Sequence, residues 1–385
     1  MKEVLGNRIK QIRGVSYKPT DLRNAQDIDA IPILRANNIT NEGIDYSDLV
    51  YVSEKCIKAE QLLKPGDILI CASSGSKNLV GKASQITSNL KCSFGAFCKV
   101  IRAKDVEEKF LGYFFQSSYY RKTISKSAAG ANINNIRAED IDNIKVNFPE
   151  KTEQQEIAKK FIKTYSLINK RKQQLKKLDL LVKSQFIEMF GICDLRSVKS
   201  DWKKIGAVAE VVGGSTPRTE QVNYWGGNHP WITPAEISDD SFIINSTTRM
   251  LTDDGVKSCS LKLLPVGTVL LSSRAPIGKV AIAGVEMYCN QGFKNLICNK
   301  ELNSIYVYCL LKFNVDYLNS LGRGATFKEI SKSIVDNISI PVPPIEKQNA
   351  FARFVEQTDK SKFRIKQSLE KLEICYKALL QKYFG

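Results

Sequence analysis

A chain of 385 residues, 43% apolar and 25% charged, has the composition of a folded soluble protein and room for about two or three domains, which excludes a disordered chain. Its net charge of +17 and pI near 9.3 point to a polyanion, first of all nucleic acid, as partner. No apolar run is long enough to span a bilayer and the N-terminal MKEVLGNRIK lacks a signal peptide's apolar core, so a cytoplasmic protein without membrane contact is expected.

Residues 1–148 alternate strand-like runs at 31–34, 66–70 and 97–101 with turns, and a helix is expected over 110–125. This pattern predicts a mixed α/β or mainly β domain.

Residues 149–191 read as one long helix. Positions 157, 161, 164, 168, 171, 175, 178, 182, 185 and 189 follow steps of four and three, and they carry Ile157, Phe161, Ile168, Leu175, Leu178, Val182 and Met189. That is a coiled-coil seam. The outer positions are basic, with Lys159, Lys160, Lys163, Lys170, Arg171, Lys172, Lys176 and Lys177, a run that suits a solvated face, a DNA backbone or an acidic partner.

Residues 192–342 repeat the first domain with different side chains. Pro32-Ile33-Leu34 answers Pro230-Trp231-Ile232, Gly66-Asp67 answers Gly267-Thr268, and Gly81-Lys82 answers Gly278-Lys279. Cys92 and Gly95 are matched to Cys289 and Gly292, and Gly130-Ala131 to Gly324-Ala325.

Residues 343–385 repeat the helix 194 positions on, with Phe351, Val355, Ile365, Leu369, Leu372, Tyr376, Leu379 and Tyr383 on the seam. Pro149 and Gln154 recur as Pro343 and Gln348, and Phe190-Gly191 recurs as Phe384-Gly385. The expected fold is α+β: a tandem duplication of a mixed α/β domain plus a long helix, with the two helices packed as an antiparallel coiled coil. Each helix of about forty residues is roughly 60 Å long.

Chemistry is sparse. One histidine, His229 in Gly-Gly-Asn-His-Pro-Trp, read as a turn, makes a His-based zinc site or a Ser-His or Cys-His nucleophile system unexpected. Ten cysteines without a Cys-x-x-Cys spacing read as reduced core thiols. Gly75 to Lys82 resembles a phosphate-cradling loop, but five residues separate its glycines and Ala83 stands where a magnesium-holding hydroxyl belongs. No motif for methyl transfer to a base and no dinucleotide fingerprint is present. A non-catalytic chain without metal or cofactor is expected.

What the loops offer is amide, hydroxyl and guanidinium groups suited to base edges and phosphates. The candidate DNA contacts are Arg35, Asn37, Asn38, Ser73, Ser74, Lys77 and Lys82 in the first domain. In the second they are Thr216, Arg218, Trp231, Thr233, Arg274, Lys279 and Lys328, with Ser272 and Ser273 beside them. Lys82 and Lys279, each on a tight turn, are expected to touch phosphate.

With this duplicated plan, the Gly213-Gly-Ser-Thr-Pro-Arg218 and Pro230-Trp-Ile-Thr-Pro-Ala-Glu-Ile237 stretches and the Pro-x-x-x-x-Gln helix starts, the chain resembles the specificity subunits of type I restriction-modification enzymes. The resemblance implies two target recognition domains, 1–148 and 192–342, each reading half of a split double-stranded DNA target. It also implies that the two helices dock methyltransferase subunits, two of them, that restriction subunits join, and that S-adenosylmethionine sits on the methyltransferase. A specificity subunit of a type II-like methyltransferase and nuclease complex, or a coiled-coil adaptor that does not bind DNA, are the alternatives.

Overall fold

The computed structural model describes the chain except residues 1, 41, 77, 129–134, 198 and 324–327. The pairing of Gly130-Ala131 with Gly324-Ala325 therefore lies outside the described residues. The chain forms two compact units, Met1–Lys172 with Gln367–Gly385, and Gln173–Lys366. The division cuts both long helices, so each unit holds one mixed domain and part of each helix.

In the first unit a four-stranded antiparallel sheet runs in the order Ile9–Arg13, Cys98–Ala103, Ile68–Cys71 and Ala83–Gln85. A second sheet orders Leu22–Arg23, Val50–Ser53, Ala30–Leu34 and Ser93–Phe94, and its last pair is parallel. Fully buried strands such as Ile68–Cys71 read as unbroken apolar runs because they are covered on both faces. The helix expected over 110–125 is two, Glu108–Phe114 and Ser118–Ala128. The break falls where buried Ser117 takes the Tyr120 N–H on its hydroxyl at 3.2 Å and starts a new helix as its cap.

The second unit repeats this plan. A five-stranded sheet orders Ala209–Gly213, Lys294–Cys298, Val269–Leu271, Val280–Ala283 and Ile243–Ile244. A three-stranded one orders Arg249–Leu251, Trp225–Ile232 and Tyr288–Cys289, again with a parallel last pair. Gly81 and Gly278 share a left-handed φ, +77° and +87°, which glycine adopts without strain. The sequence match is corrected further along: the Gly95 N–H bonds Leu34 O, and it is the Asn290 N–H, not that of Gly292, that bonds Ile232 O. By main-chain pairing Gly292 stands where Phe97 stands, because the Phe97 carbonyl receives the N–H of Ala72 and the Gly292 carbonyl that of Ser273, two positions whose own carbonyls receive the N–H groups of Ile136 and Ile330.

The long helices span Lys151–Phe190 and Ile345–Phe384. Gly191 ends the first in a left-handed conformation with its N–H on Ile187 O at 2.8 Å. Within the first unit, Phe161 stacks on Phe384 at 6.0 Å and meets Tyr376 at 5.5 Å, so an early part of one helix packs against a late part of the other, antiparallel. Within the second, Phe186 meets Phe351 at 5.4 Å, the same arrangement reversed. Ile157, Phe161, Ile168, Val182, Phe351 and Val355 are buried, and Leu175, Leu178, Ile365, Leu369, Leu372 and Tyr376 half-buried.

All ten cysteines are free, and burial pushes the thiols of Cys98, Cys289 and Cys309 up to about 12. Cys375 departs from the core expectation, being exposed on the second long helix. Among the described residues no helix is long and apolar enough to cross a membrane.

Candidate nucleic-acid interface

In the first unit the strand Ala30–Leu34 ends in a one-turn helix, Ala36–Asn38, that projects Arg35 and Asn37. Asn38, 1% exposed, builds this turn. Its Oδ1 accepts the Arg35 N–H at 2.8 Å and its Nδ2 donates to Asp45 O and Asp48 O, both at 2.8 Å. Asn38 therefore corrects the expectation of a base contact, since every polar atom of its amide is spent inside the fold. Arg35 Nη2 and Asn37 Nδ2 both donate to Asp48 Oδ2, at 2.9 and 2.8 Å, while Arg35 Nε is buried without a partner.

Arg35, Asn37, Ser73 and Ser74 line one open cavity of about 980 Å³, together with Ser16, Tyr17 and Phe97. The structure thus gathers four of the expected residues. Lys77 lies outside the described residues. Lys82 is not part of the group: half-buried, it lines a separate recess of about 590 Å³ with Asn78, Arg121, Tyr165 and Tyr376.

The second unit builds the equivalent turn, Pro234–Glu236, with other side chains. Glu236 takes the place of Asn38, accepting the Thr233 N–H at 2.9 Å on one oxygen and the Thr248 N–H and hydroxyl at 2.6 Å on the other. Burial alone raises the Glu236 pKa, but the hydrogen bonds from Thr248 and Thr233 outweigh it and hold the carboxyl below its ordinary range. The half-buried hydroxyl of Thr233 also donates to Glu236, at 3.3 Å. Lys279 donates from Nζ to Pro234 O at 3.3 Å, so the second of the two turn lysines braces this turn.

Trp231 is corrected most plainly. It is 2% exposed, its Nε1 donates to Ser215 O at 3.1 Å, and it packs edge-on against Trp225 at 5.0 Å. Trp225 Nε1 donates to Arg218 O at 3.3 Å. A ring packed all round cannot reach a base; the two indoles instead fix the loop that carries Thr216 and Arg218. The Thr216 hydroxyl donates to Gln291 Oε1.

Ser272 and Ser273 are fully buried, the first donating to Pro276 O at 2.8 Å and the second accepting from Lys294 Nζ at 3.4 Å. Arg218, Arg274 and Lys328 are exposed, and Arg274 Nε pairs with Glu329 at 3.0 Å. His229 sits in a strand rather than a turn, with Nε2 at 2.6 Å from Asp253 Oδ1. Among the described residues no group of His, Cys, Asp and Glu is placed to hold a metal ion.

Sequence reasoning missed Tyr17 and Phe97. Tyr17 carried no pattern, and Phe97 was read as the start of a strand that begins at Cys98. The one signal near Phe97 was Gly95, a lone glycine within a strand-like run, which points to irregular backbone.

The profile of the family described as type I restriction modification DNA specificity domain matches residues 9–177 and again 199–374, nearly the whole chain. The chain belongs to this family. It is 28% identical over 396 residues to the StySPI type I restriction enzyme specificity subunit of Salmonella potsdam, covering 97% of this chain and 86% of that one. It is 39% identical over 202 residues to the MjaIX specificity subunit of Methanocaldococcus jannaschii, a match that spans 50% of this chain and 47% of that subunit. The crystal structure of the type I restriction-modification S subunit of M. genitalium aligns with 100% of this chain and 96% of its own at a TM-score of 0.62 and 15% identity, a likeness of fold. Each copy of the specificity domain carries one such turn: Arg35-Ala-Asn in the first, Thr233-Pro-Ala in the second.

Proposed function

We propose that this chain is the DNA-reading subunit of a type I restriction-modification enzyme and that each unit reads one half of a bipartite target. What carries the reading is the double family match together with two equivalent turns that present different side chains, because unlike groups on like scaffolds select unlike bases. The positive charge supplies affinity for the duplex backbone whatever its sequence. The long helices hold two methyltransferase subunits, and restriction subunits join that complex. S-adenosylmethionine and the reacting adenine belong to the methyltransferase, which takes the base out of the stack, so this chain acts by binding and positioning, in the cytoplasm. The family match in both halves favours this over an adaptor that does not touch DNA.

The test is methylome sequencing of cells carrying this chain and its cognate methyltransferase, with residues 1–148 native or replaced by another specificity domain. Two short, different sequences around a fixed spacer are expected, and the replacement changes one of them. A continuous palindromic motif, or a replacement that changes both halves, overturns the reading.

A further inference from the structure

Phe97 is 71% exposed, whereas Phe94, Phe110, Phe114, Phe115 and Phe161 of the same unit are all within 2% of full burial. Its backbone is pinned. The Phe97 carbonyl accepts the N–H groups of Ala72 and Ser73 at 2.9 and 3.0 Å, and the Cys98 N–H closes the turn on Gly95 O at 2.9 Å. Cys98 is buried, so the turn is anchored at its far side. The ring therefore stands on a fixed support, in water, and not on a loose loop.

Polar groups stand beside it: it shares the cavity of about 980 Å³ with Arg35, Asn37, Ser73, Ser74 and Tyr17, and with the apolar Val15 and Ala36. An apolar face set among guanidinium, amide and hydroxyl groups matches a nucleobase, which offers an aromatic face to stack on and polar edges to bond. The chain's charge of +17 selects a polyanion to bring that base there. The second unit makes the same main-chain turn with Gly292, whose carbonyl accepts the Ser273 N–H at 2.7 Å, and so has no side chain at this place.

We propose that Phe97 is a wedge that stacks on a base of the half-target read by the first unit, opening a base step there, and that the second unit reads its half without one. This rests on the DNA-reading function above. Apolar wedges of this type unstack a step and bend the duplex. The wedge adds a preference for a deformable step to the hydrogen-bond code of Arg35 and Asn37.

The experiment uses the full chain assembled with its methyltransferase subunits and a duplex bearing the motif found by methylome sequencing. Phe97→Ala is expected to weaken binding about ten-fold or more, as loss of one base stack does, with the salt dependence unchanged because no phosphate contact goes. Phe97→Trp is expected to keep the affinity, and its emission to fall when the duplex binds. The thermal midpoints of both should equal the native one, since the ring is exposed. Native-like affinity of Phe97→Ala, or an emission of Phe97→Trp unchanged by a duplex that does bind, overturns the wedge while leaving the DNA-reading function standing. Loss of the methyltransferase from Phe97→Ala on size exclusion, with DNA binding intact, also overturns it and makes the patch a protein contact. A native complex that binds no specific duplex sinks both readings together.

Discussion

Lys366 pairs with Asp240 at 3.5 Å, and Lys172, 194 residues earlier, pairs with Glu42 at 3.7 Å. Each lysine lies on a long helix and each acid on the loop just past the turn Ala36–Asn38 or Pro234–Glu236 of the same unit. The links are reinforced in different ways. Tyr165 donates its hydroxyl to Glu42 O at 3.1 Å; in the second unit Lys312 Nζ donates to Asp239 O and the Tyr308 hydroxyl to Ser241 O, both at 2.9 Å. In the first unit both links tie the loop to the long helix; in the second only the ion pair does, and the hydrogen bonds tie the loop to the helix Ser304–Phe313.

These ion pairs position rather than stabilise. The Glu42 and Asp240 side chains are 82% and 76% exposed, and exposed pairs are worth about 0–1 kcal/mol. A double-mutant cycle on Lys172→Gln and Glu42→Gln should give a coupling energy below about 1 kcal/mol that shrinks with added salt. A coupling of several kcal/mol in thermal unfolding would show a desolvated pair instead.

Gln154 and Gln348 carry more. Gln154 accepts the Glu107 N–H at 2.9 Å and donates to Pro149 O at 2.8 Å. Gln348 accepts the Asn303 N–H and donates to Glu301 O, both at 2.9 Å, and to Pro343 O at 2.7 Å. Both side chains are buried, so Gln154→Leu and Gln348→Leu each leave polar groups of the main chain unpaired, two for the first and three for the second, at about 1–3 kcal/mol for each group. The expected result is a lower unfolding midpoint for each variant, larger for Gln348→Leu; equal midpoints would mean that water replaces the amide.

The aromatic cluster of the first unit predicts a steeper loss. Phe161 is fully buried between Tyr113, Tyr376 and Phe384. Phe161→Ala should destabilise the first unit by about 3–5 kcal/mol, read as earlier loss of its near-ultraviolet circular dichroism on heating.

Acid should loosen the turn Pro234–Glu236. The folded pKa of Glu236 lies below its ordinary value of 4.5, set by burial, which raises it, and by the stronger pull of Thr248 and Thr233. A depressed carboxyl stabilises fully above its unfolded pKa, and that contribution is lost as pH falls through the folded value. The Thr233 and Thr248 amide resonances should hold steady at neutral pH and shift together below about 4.5, the window between the two values. Glu236→Gln should abolish that titration; its persistence would assign it to another acid.

Arg218 and Lys328, exposed on the second unit, predict the simplest DNA result. Substitution of either by Ala should weaken binding alike for all sequences and lower the salt slope by about one. A changed motif with an unchanged slope would make the residue a reader of bases.

The seam was legible because apolar spacing on a helix is a local signal, and here it is written twice. Phe186 and Phe384 fall outside it yet are buried, since near its C-terminal end each helix turns a second face to the mixed domain of the other repeat, which no heptad encodes. The candidate loops were legible as turns, but the roles of their side chains were not. Ser272, Ser273 and Asn38 looked like surface hydrogen-bonders, and a short polar side chain is just as well satisfied by buried backbone. The repeat slipped by two residues because Gly292 was matched to Gly95 by letter, whereas main-chain pairing, invisible in one strand alone, sets it beside Phe97.

The division of the chain into units has a consequence for its synthesis. Phe384 is 5% exposed in the core of the first unit, 5.0 Å from Phe110, yet the ribosome reaches it only after all of Gln173–Lys366 has been made. The first unit therefore starts to emerge before the second and is complete only after it, with an aromatic hollow left uncovered until then. Long-range closure of this type is slow and leaves apolar surface open to aggregation. A stop codon shortly before Phe384 would injure the unit whose other residues, up to Lys172, are encoded far upstream.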